Sequence, residues 1–355
     1  MALETSHRRA PVAGQVKRPI ERTAAAAILS AVDMPLSLPY QPQDWPIGAA
    51  MLQFPGVTAD GTPMRQAGPD RWLRDLGTIA AEGFKSVEVP SAWLPIGDMT
   101  ANEHDALKAV LRETRLNICA TSVVRRSIID PQEAADNLAA THRAIDAAVA
   151  VGSPLVCLGL HEPLTQEQMA VTWFWTVPGA RTPDSRDVWK LAASRYRELA
   201  DHAAQVGVAI SLELYEGTYL GAADSAVAFL EEIGRPNVGL NPDLGNLVRA
   251  PEEIEPWEAM AVKTLPHANY WHVKNYSRVE NPSAGLYMTS PSPMVSGLID
   301  YRKLVAFAIA NGFRGAFLCE NYGGDGLSVS AENRRYLLHL LSTMSDRRPA
   351  AEASI

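Results

Sequence analysis

Cysteine, long apolar runs and clustered positive charge are all scarce in this chain. Only three cysteines occur in 355 residues, Cys119, Cys157 and Cys319. They share no short metal-type spacing and each lies inside an apolar, strand-like run. Buried reduced thiols and a reducing compartment are therefore expected. No apolar run reaches the roughly 20 residues that span a bilayer, which excludes a membrane-spanning helix. The 32 Lys and Arg face 40 Asp and Glu, for a net charge of −8. No basic stretch interrupts that balance, so nucleic acid is disfavoured as a partner. A glycine-rich phosphate loop is also missing after the first strand-like segment, which weakens an open nucleotide-binding sheet.

The segment "RTAAAAILSAV" and the pair Arg8-Arg9 superficially suggest an export signal. The apolar run is short, starts well after Arg8 and is followed by Asp33, so a cytoplasmic location is expected. Residues 1–45 read as an extension. It comprises a helical arm over Ile20–Val32 and a Pro-rich linker, the arm packing on a neighbouring subunit or staying mobile. Residues 346–355 read as a disordered tail.

What is present is alternation. Strand-like runs start at "IGAAMLQFPG", "FKSVEVP", "LNICATSV", "PLVCLGL", "VAISLELY", "NVGLNPD", "ANYWHVKNY" and "GAFLCENY". Helical periodicity separates them, as with Trp72, Leu76 and Ile79. Eight such units over residues 46–345 predict a single (β/α)8 barrel. Two stretches interrupt the rhythm. Residues 161–185 are too long for a simple loop after the fourth strand and carry Trp173, Phe174 and Trp175 in a row. Residues 277–299 are rich in Pro, Ser and Gly and read as a loop.

Four runs end on residues that bind metals: Glu213 in "SLELYEG", Asp243 in "GLNPDLGN", His272 in "YWHVKNYSR" and Glu320 in "FLCENYGG". Ionisable groups within apolar strands are costly unless paired or metal-bound. Barrel strand ends converge on one face. Three carboxylates and one imidazole suit Mn²⁺, with Mg²⁺, Co²⁺ or Zn²⁺ also possible. Such an ion binds adjacent hydroxyl and carbonyl oxygens of a sugar, and Glu213 and Glu320 are placed to shuttle protons. Period-two alternation puts Lys274 on the face of His272, to reach substrate or offset carboxylate charge. His161, at the end of the fourth strand, is a candidate base titrating near neutral pH. Trp173 and Trp175 offer an apolar wall, and Glu88 is a candidate for a sugar hydroxyl.

The order of these four strings resembles the xylose isomerase-like TIM-barrel family of sugar isomerases and epimerases. That resemblance implies metal ligation by Glu213, Asp243, His272 and Glu320, and a sugar contact from Arg278, six residues after the histidine. Epimerases of the family often carry a histidine three residues after the metal aspartate. Asn246 stands there in this chain, which argues against simple ketose epimerisation. "CLGLHEPLTQEQMAVTWFW" together with "YWHVKNYSR" resembles the catalytic subunit of bacterial C-glycoside deglycosidases, a branch of the same family. It implies a lyase acting on 3-oxo-C-glucosides of aromatic aglycones, with His161 as base, assembled with a small β-sandwich subunit. A metal-dependent ketose or inositol isomerase or epimerase is the alternative.

Overall fold

The computed structural model describes residues 22–31, 36–171, 173–179, 182 and 185–345. The strands in chain order are β1 (Ile47–Ala49), β2 (Ser86–Pro90), β3 (Asn117–Val123), β4 (Leu155–Leu158), β5 (Ala209–Glu213), β6 (Val238–Asn241), β7 (Trp271–Val273), β8 (Asn275–Asn281), β9 (Leu286–Ser292) and β10 (Phe317–Cys319). β1 to β7 and β10 form one parallel sheet in the order β6-β5-β4-β3-β2-β1-β10-β7. The seam between β6 and β7 is bridged by Leu240 pairing with Ala268 and by the Asn241 side-chain oxygen, which accepts the His272 amide at 2.7 Å. The sheet is thus a nearly closed eight-stranded (β/α)8 barrel.

Small and medium apolar side chains fill the barrel interior: Ala120, Leu155, Cys157, Ala316 and Leu318, with Tyr270 among them. Packing there leaves no room for a side chain at position 48, where a Cβ would sit 2.6 Å from the Cys119 sulfur. The three cysteines are buried and free. The outer helices bury one stripe each, as Trp72, Leu76 and Ile79 do in the helix Pro69–Ala81. Among the described residues no helix is long and apolar enough to cross a membrane.

Two expectations are corrected. The helix Arg22–Ser30 buries Ala25 and Leu29 on the protein's own core and pairs Arg22 with Glu258, rather than reaching for a neighbour. Ile20, Val32 and the tail 346–355 lie outside the described residues. Residues 277–299 are not a plain loop: β8 and β9 form an antiparallel hairpin turned at Pro282–Ala284, with Gly285 left-handed at φ 62°. The Pro and Ser residues obscured its alternation. The segment after β4 carries the short helices Gln166–Met169 and Phe174–Thr176, the first closed by a capping box between Thr165 and Gln168.

A cavity of about 510 Å³ opens at the N-terminal ends of the strands, lined by Trp45, Lys85, Asn117, Asn269 and Arg314. It lies at the opposite end of the barrel from Glu213, Asp243, His272 and Glu320.

Candidate metal centre

Each of the four strand-end residues is held by local structure. Glu213 closes β5. Asp243 follows β6 and caps the short helix Leu244–Val248, its Oδ1 accepting the Asn246 amide at 3.2 Å. His272 lies within β7 and Glu320 directly follows β10. All four are buried.

The His272 Nδ1 faces a carboxylate oxygen from each of the others: Glu213 at 3.7 Å, Asp243 at 3.8 Å and Glu320 at 3.6 Å. These separations are too long for hydrogen bonds, and Nδ1 is buried with no hydrogen-bond partner. They approach the spacing of two ligands that share a cation through bonds of about 2.0–2.2 Å. The other ring nitrogen, Nε2, meets Glu88 at 3.0 Å. That contact assigns the proton to Nε2 and leaves the Nδ1 lone pair for a metal. An orphaned imidazole nitrogen amid three carboxylates fits a divalent cation.

Burial works against charge on His272, yet without a metal Glu88, Glu320 and Glu213 hold its imidazole well above its usual value, so a cation binds at Nδ1 in exchange for a proton. Burial pushes Glu213 up to about 7, and Glu320 and Asp243 add to the rise against His272 and Lys274. Burial likewise raises Asp243. Glu320 falls well below the carboxylate range despite burial, because Lys274 and His272 favour its charge. Burial works against charge on Lys274, yet Asp243 and Glu320 hold its ammonium well above the usual range.

The remaining candidates divide. Lys274 is buried and its Nζ contacts Asp243 and Glu320. It offsets carboxylate charge and is not extended toward substrate. Asn246 donates to Glu213 at 3.0 Å and to the Leu214 carbonyl, so it props a candidate ligand, while its own Oδ1 is unpartnered among the described residues. Glu88 is corrected. Its Oε1 accepts from Ser122 at 2.8 Å, and its Oε2 meets Tyr270 at 2.9 Å and His272. Both oxygens are engaged by protein groups, Oε2 orienting the histidine and Oε1 held by Ser122, so neither is turned to a sugar hydroxyl.

Arg278 is corrected as well. Its guanidinium donates to the carbonyls of Val248, Ala250 and Glu252 and pairs with Glu280, so it braces the β8–β9 hairpin. An arginine that sequence reasoning missed lies closer. Arg249 is buried, donates to Glu216 at 2.6 Å and to Tyr276 at 3.2 Å, and packs over the rings of Tyr215 and Tyr322 at 5.2 and 5.1 Å. Its Nη2 has no partner among the described residues. Tyr322 also covers the Lys274 ammonium, 5.3 Å from the ring centre. The signal was a lone arginine in the apolar string "LGNLVRA".

His161 is fully buried beneath Phe174 and beside Tyr215, with ring centres at 5.6 and 4.8 Å. Burial, with help from Arg125, pushes its imidazole down to about 3 instead of leaving it near neutral. Among the described residues neither ring nitrogen has a partner, nor does the Tyr215 hydroxyl. Trp173 joins Val171, Thr176, Pro291, Tyr322 and Gly323 around a cavity of about 440 Å³. The side chain of Trp175 lies outside the described residues.

Glu88→Gln tests the support of the histidine. The amide must present a donor to one of the groups that now donate, disturbing the Nε2–H tautomer. Mn²⁺ affinity by titration calorimetry is expected to fall by about 10–100-fold. An unchanged affinity removes Glu88 from the centre.

A family model described as xylose isomerase-like TIM barrel matches residues 76–340. Among solved structures, a xylose isomerase-like TIM barrel protein from Mycobacterium smegmatis in complex with magnesium is 40% identical. The match covers 86% of this chain and 99% of that one, with a TM-score of 0.81. The 3-keto-D-glucoside 4-epimerase of E. coli is 17% identical over 83% of this chain and 99% of that one, at a TM-score of 0.57. Mannonate dehydratase from Streptococcus suis is 15% identical over 76% and 89%, at 0.59. These two likenesses speak to fold alone. No protein of curated function matches the chain. With the family model spanning most of the barrel and a 40% identical member matched along nearly its whole length, the chain belongs to the xylose isomerase-like TIM barrel family.

Proposed function

We propose that this protein is a divalent-metal-dependent lyase that cleaves the C-glycosidic bond of 3-oxo-C-glucosides of aromatic aglycones. The observation that carries the metal reading is the orphaned His272 Nδ1 facing three carboxylates. The observation that favours an aromatic group is the cavity lined by Trp173, Val171, Pro291 and Tyr322, the last of which packs over Lys274. Mn²⁺ and Mg²⁺ both suit the ligands, and the similar mycobacterial protein was crystallised with magnesium. The ion supplies Lewis-acid polarisation of the C3 carbonyl and its neighbouring hydroxyl.

The protein's own residues do the rest. The proton on C2, acidified by the adjacent carbonyl, passes to the Glu213 carboxylate. The electron pair of the C2–H bond becomes the C1–C2 double bond, the C1–aryl bond breaks, and the aryl carbon takes a proton. The proton for the aryl carbon is the one Glu213 has taken, while Glu320, across His272 from Glu213, stays ionised against Lys274. His161 replaces its expected role as base with that of a neutral hydrogen-bonding partner for a substrate oxygen. Phe174 and Tyr215 enclose it and exclude water. The same reading includes a small β-sandwich partner subunit. Val279, Leu286 and Met288, exposed on the β8–β9 hairpin, support it.

The alternative, a ketose or inositol isomerase or epimerase, draws on the unpartnered His161 nitrogens, Tyr215 hydroxyl and Arg249 Nη2. Such a group of unmet buried atoms suits an oxygen-rich ligand. Proton NMR in D₂O separates the two. Mn²⁺-loaded protein is incubated with a 3-oxo-C-glucoside of an aromatic aglycone and, in parallel, with free ketoses. Released aglycone, abolished by chelator and by Glu213→Gln and reduced by His161→Ala, is expected. Deuterium beside a ketose carbonyl with no action on the glycoside overturns the lyase in favour of the isomerase.

A further inference from the structure

On the outer wall of the barrel, away from the strand-end cluster, two helices carry a second set of metal-type side chains. The helix Ala134–Val151 presents His142 and Asp146 four residues apart, and the helix Arg186–Gln205 presents Glu198 and His202 four residues apart. Side chains at that spacing share one helix face. The two pairs meet reciprocally. His142 Nε2 contacts Glu198 on the other helix at 2.9 Å, and His202 Nε2 contacts Asp146 at 2.9 Å. The two Nδ1 atoms then face each other at 2.7 Å.

Each carboxylate fixes its imidazole as the Nε2–H tautomer. Two Nδ1 lone pairs are thereby aimed at one another at a distance that requires a cation between them. A single shared proton is one solution. It sets one positive charge against two carboxylates, and no Lys or Arg pairs with Asp146 or Glu198 among the described residues. A divalent ion supplies both charges. The carboxylate–histidine–metal relay on each side is the usual support of an imidazole ligand. Imidazole nitrogens select a borderline cation such as Zn²⁺ over Mg²⁺ or Ca²⁺. Zn–N bonds of about 2.0–2.1 Å at a tetrahedral angle place two nitrogens about 3.4 Å apart. The rings need to part by only about 0.7 Å. All four side chains are partly exposed, so an ion and its waters have access.

We propose that His142 and His202 bind one Zn²⁺-class ion through their Nδ1 atoms, with Asp146 and Glu198 behind them, as a clasp between two outer helices. The site is separate from the strand-end centre and takes no part in the lyase reading.

The test uses the metal-stripped full-length protein and its Asp243→Asn variant, dialysed against Zn²⁺. In both, adding His142→Gln or His202→Gln is expected to remove one bound zinc. Because the result is read as a difference, residual zinc at the strand ends does not affect it. Zinc is also expected to raise the melting temperature less once either histidine is changed. Asp146→Asn with Glu198→Gln, which keeps both ligands, is expected to weaken that zinc about 10–100-fold without removing it. Equal zinc content and equal zinc-induced stabilisation with and without His142→Gln overturns the proposal and leaves a proton-bridged pair.

Discussion

Lys274→Met is expected to destabilise the metal-free protein by about 3–5 kcal/mol, the usual cost of removing one partner from a buried ion pair. The residue is buried, so solvent does not screen the loss. Its Nζ contacts Asp243 and Glu320, and Glu213 stands close by. Without the ammonium, three carboxylates share a buried site with only a histidine to offset them. Metal reverses the balance. A bound divalent ion is no longer repelled by Lys274, so the variant binds Mn²⁺ more tightly and gains more stability from it through linkage. Guanidinium unfolding in chelator and in excess Mn²⁺ measures both effects. A variant as stable as wild type in chelator would show that Lys274 is not what holds the empty carboxylates together. The pH dependence has a definite sign. The folded-state pKa of Lys274 lies above its unfolded value, so its contribution is complete below about 10.5 and is lost as pH rises through the higher folded value.

The barrel was legible because its strands are short apolar runs between helices of plain periodicity, and the strand-end cluster because each member is an ionisable residue in or just after such a run. Both are local signals. What was not legible depends on where side chains go once the chain has folded. Arg278 has the spacing of a sugar-binding arginine, but the β8–β9 hairpin carries it against the carbonyls of 248–252. Arg249, from an unpromising string, takes the place beside Tyr322. Glu88 and His272 lie far apart in sequence, so nothing local showed that the carboxylate serves the histidine. His161 was read at its solution pKa, whereas the aromatic cover from Phe174 and Tyr215 keeps it neutral. The His142–Asp146 and Glu198–His202 pairs each look like ordinary surface helix residues. Only the packing of the two helices brings them together.

Glu213→Gln is expected to make the metal-free protein more stable and the metal-bound protein inactive. Burial, before any neighbour, raises the Glu213 carboxyl to about 7. A folded-state pKa above the unfolded value near 4.5 means that the acid contributes fully below the unfolded value. Stability is lost as pH rises from there through about 7. Glutamine keeps the oxygen that accepts from Asn246 and never ionises. At pH 8 the metal-free variant should therefore gain about 2–3 kcal/mol over wild type, a difference that shrinks toward pH 4.5. The same substitution removes one of three anionic ligands, so Mn²⁺ affinity should fall about a hundredfold or more. It also removes the proposed proton acceptor, so turnover should not return when Mn²⁺ is raised to saturation. Chemical unfolding across pH, calorimetric titration with Mn²⁺ and turnover at saturating metal give three separate readings. Loss of stability at pH 8 in chelator would mean that Glu213 serves the fold. A gain there, with weak metal binding, means that the protein keeps a costly buried carboxylate in place for the cation.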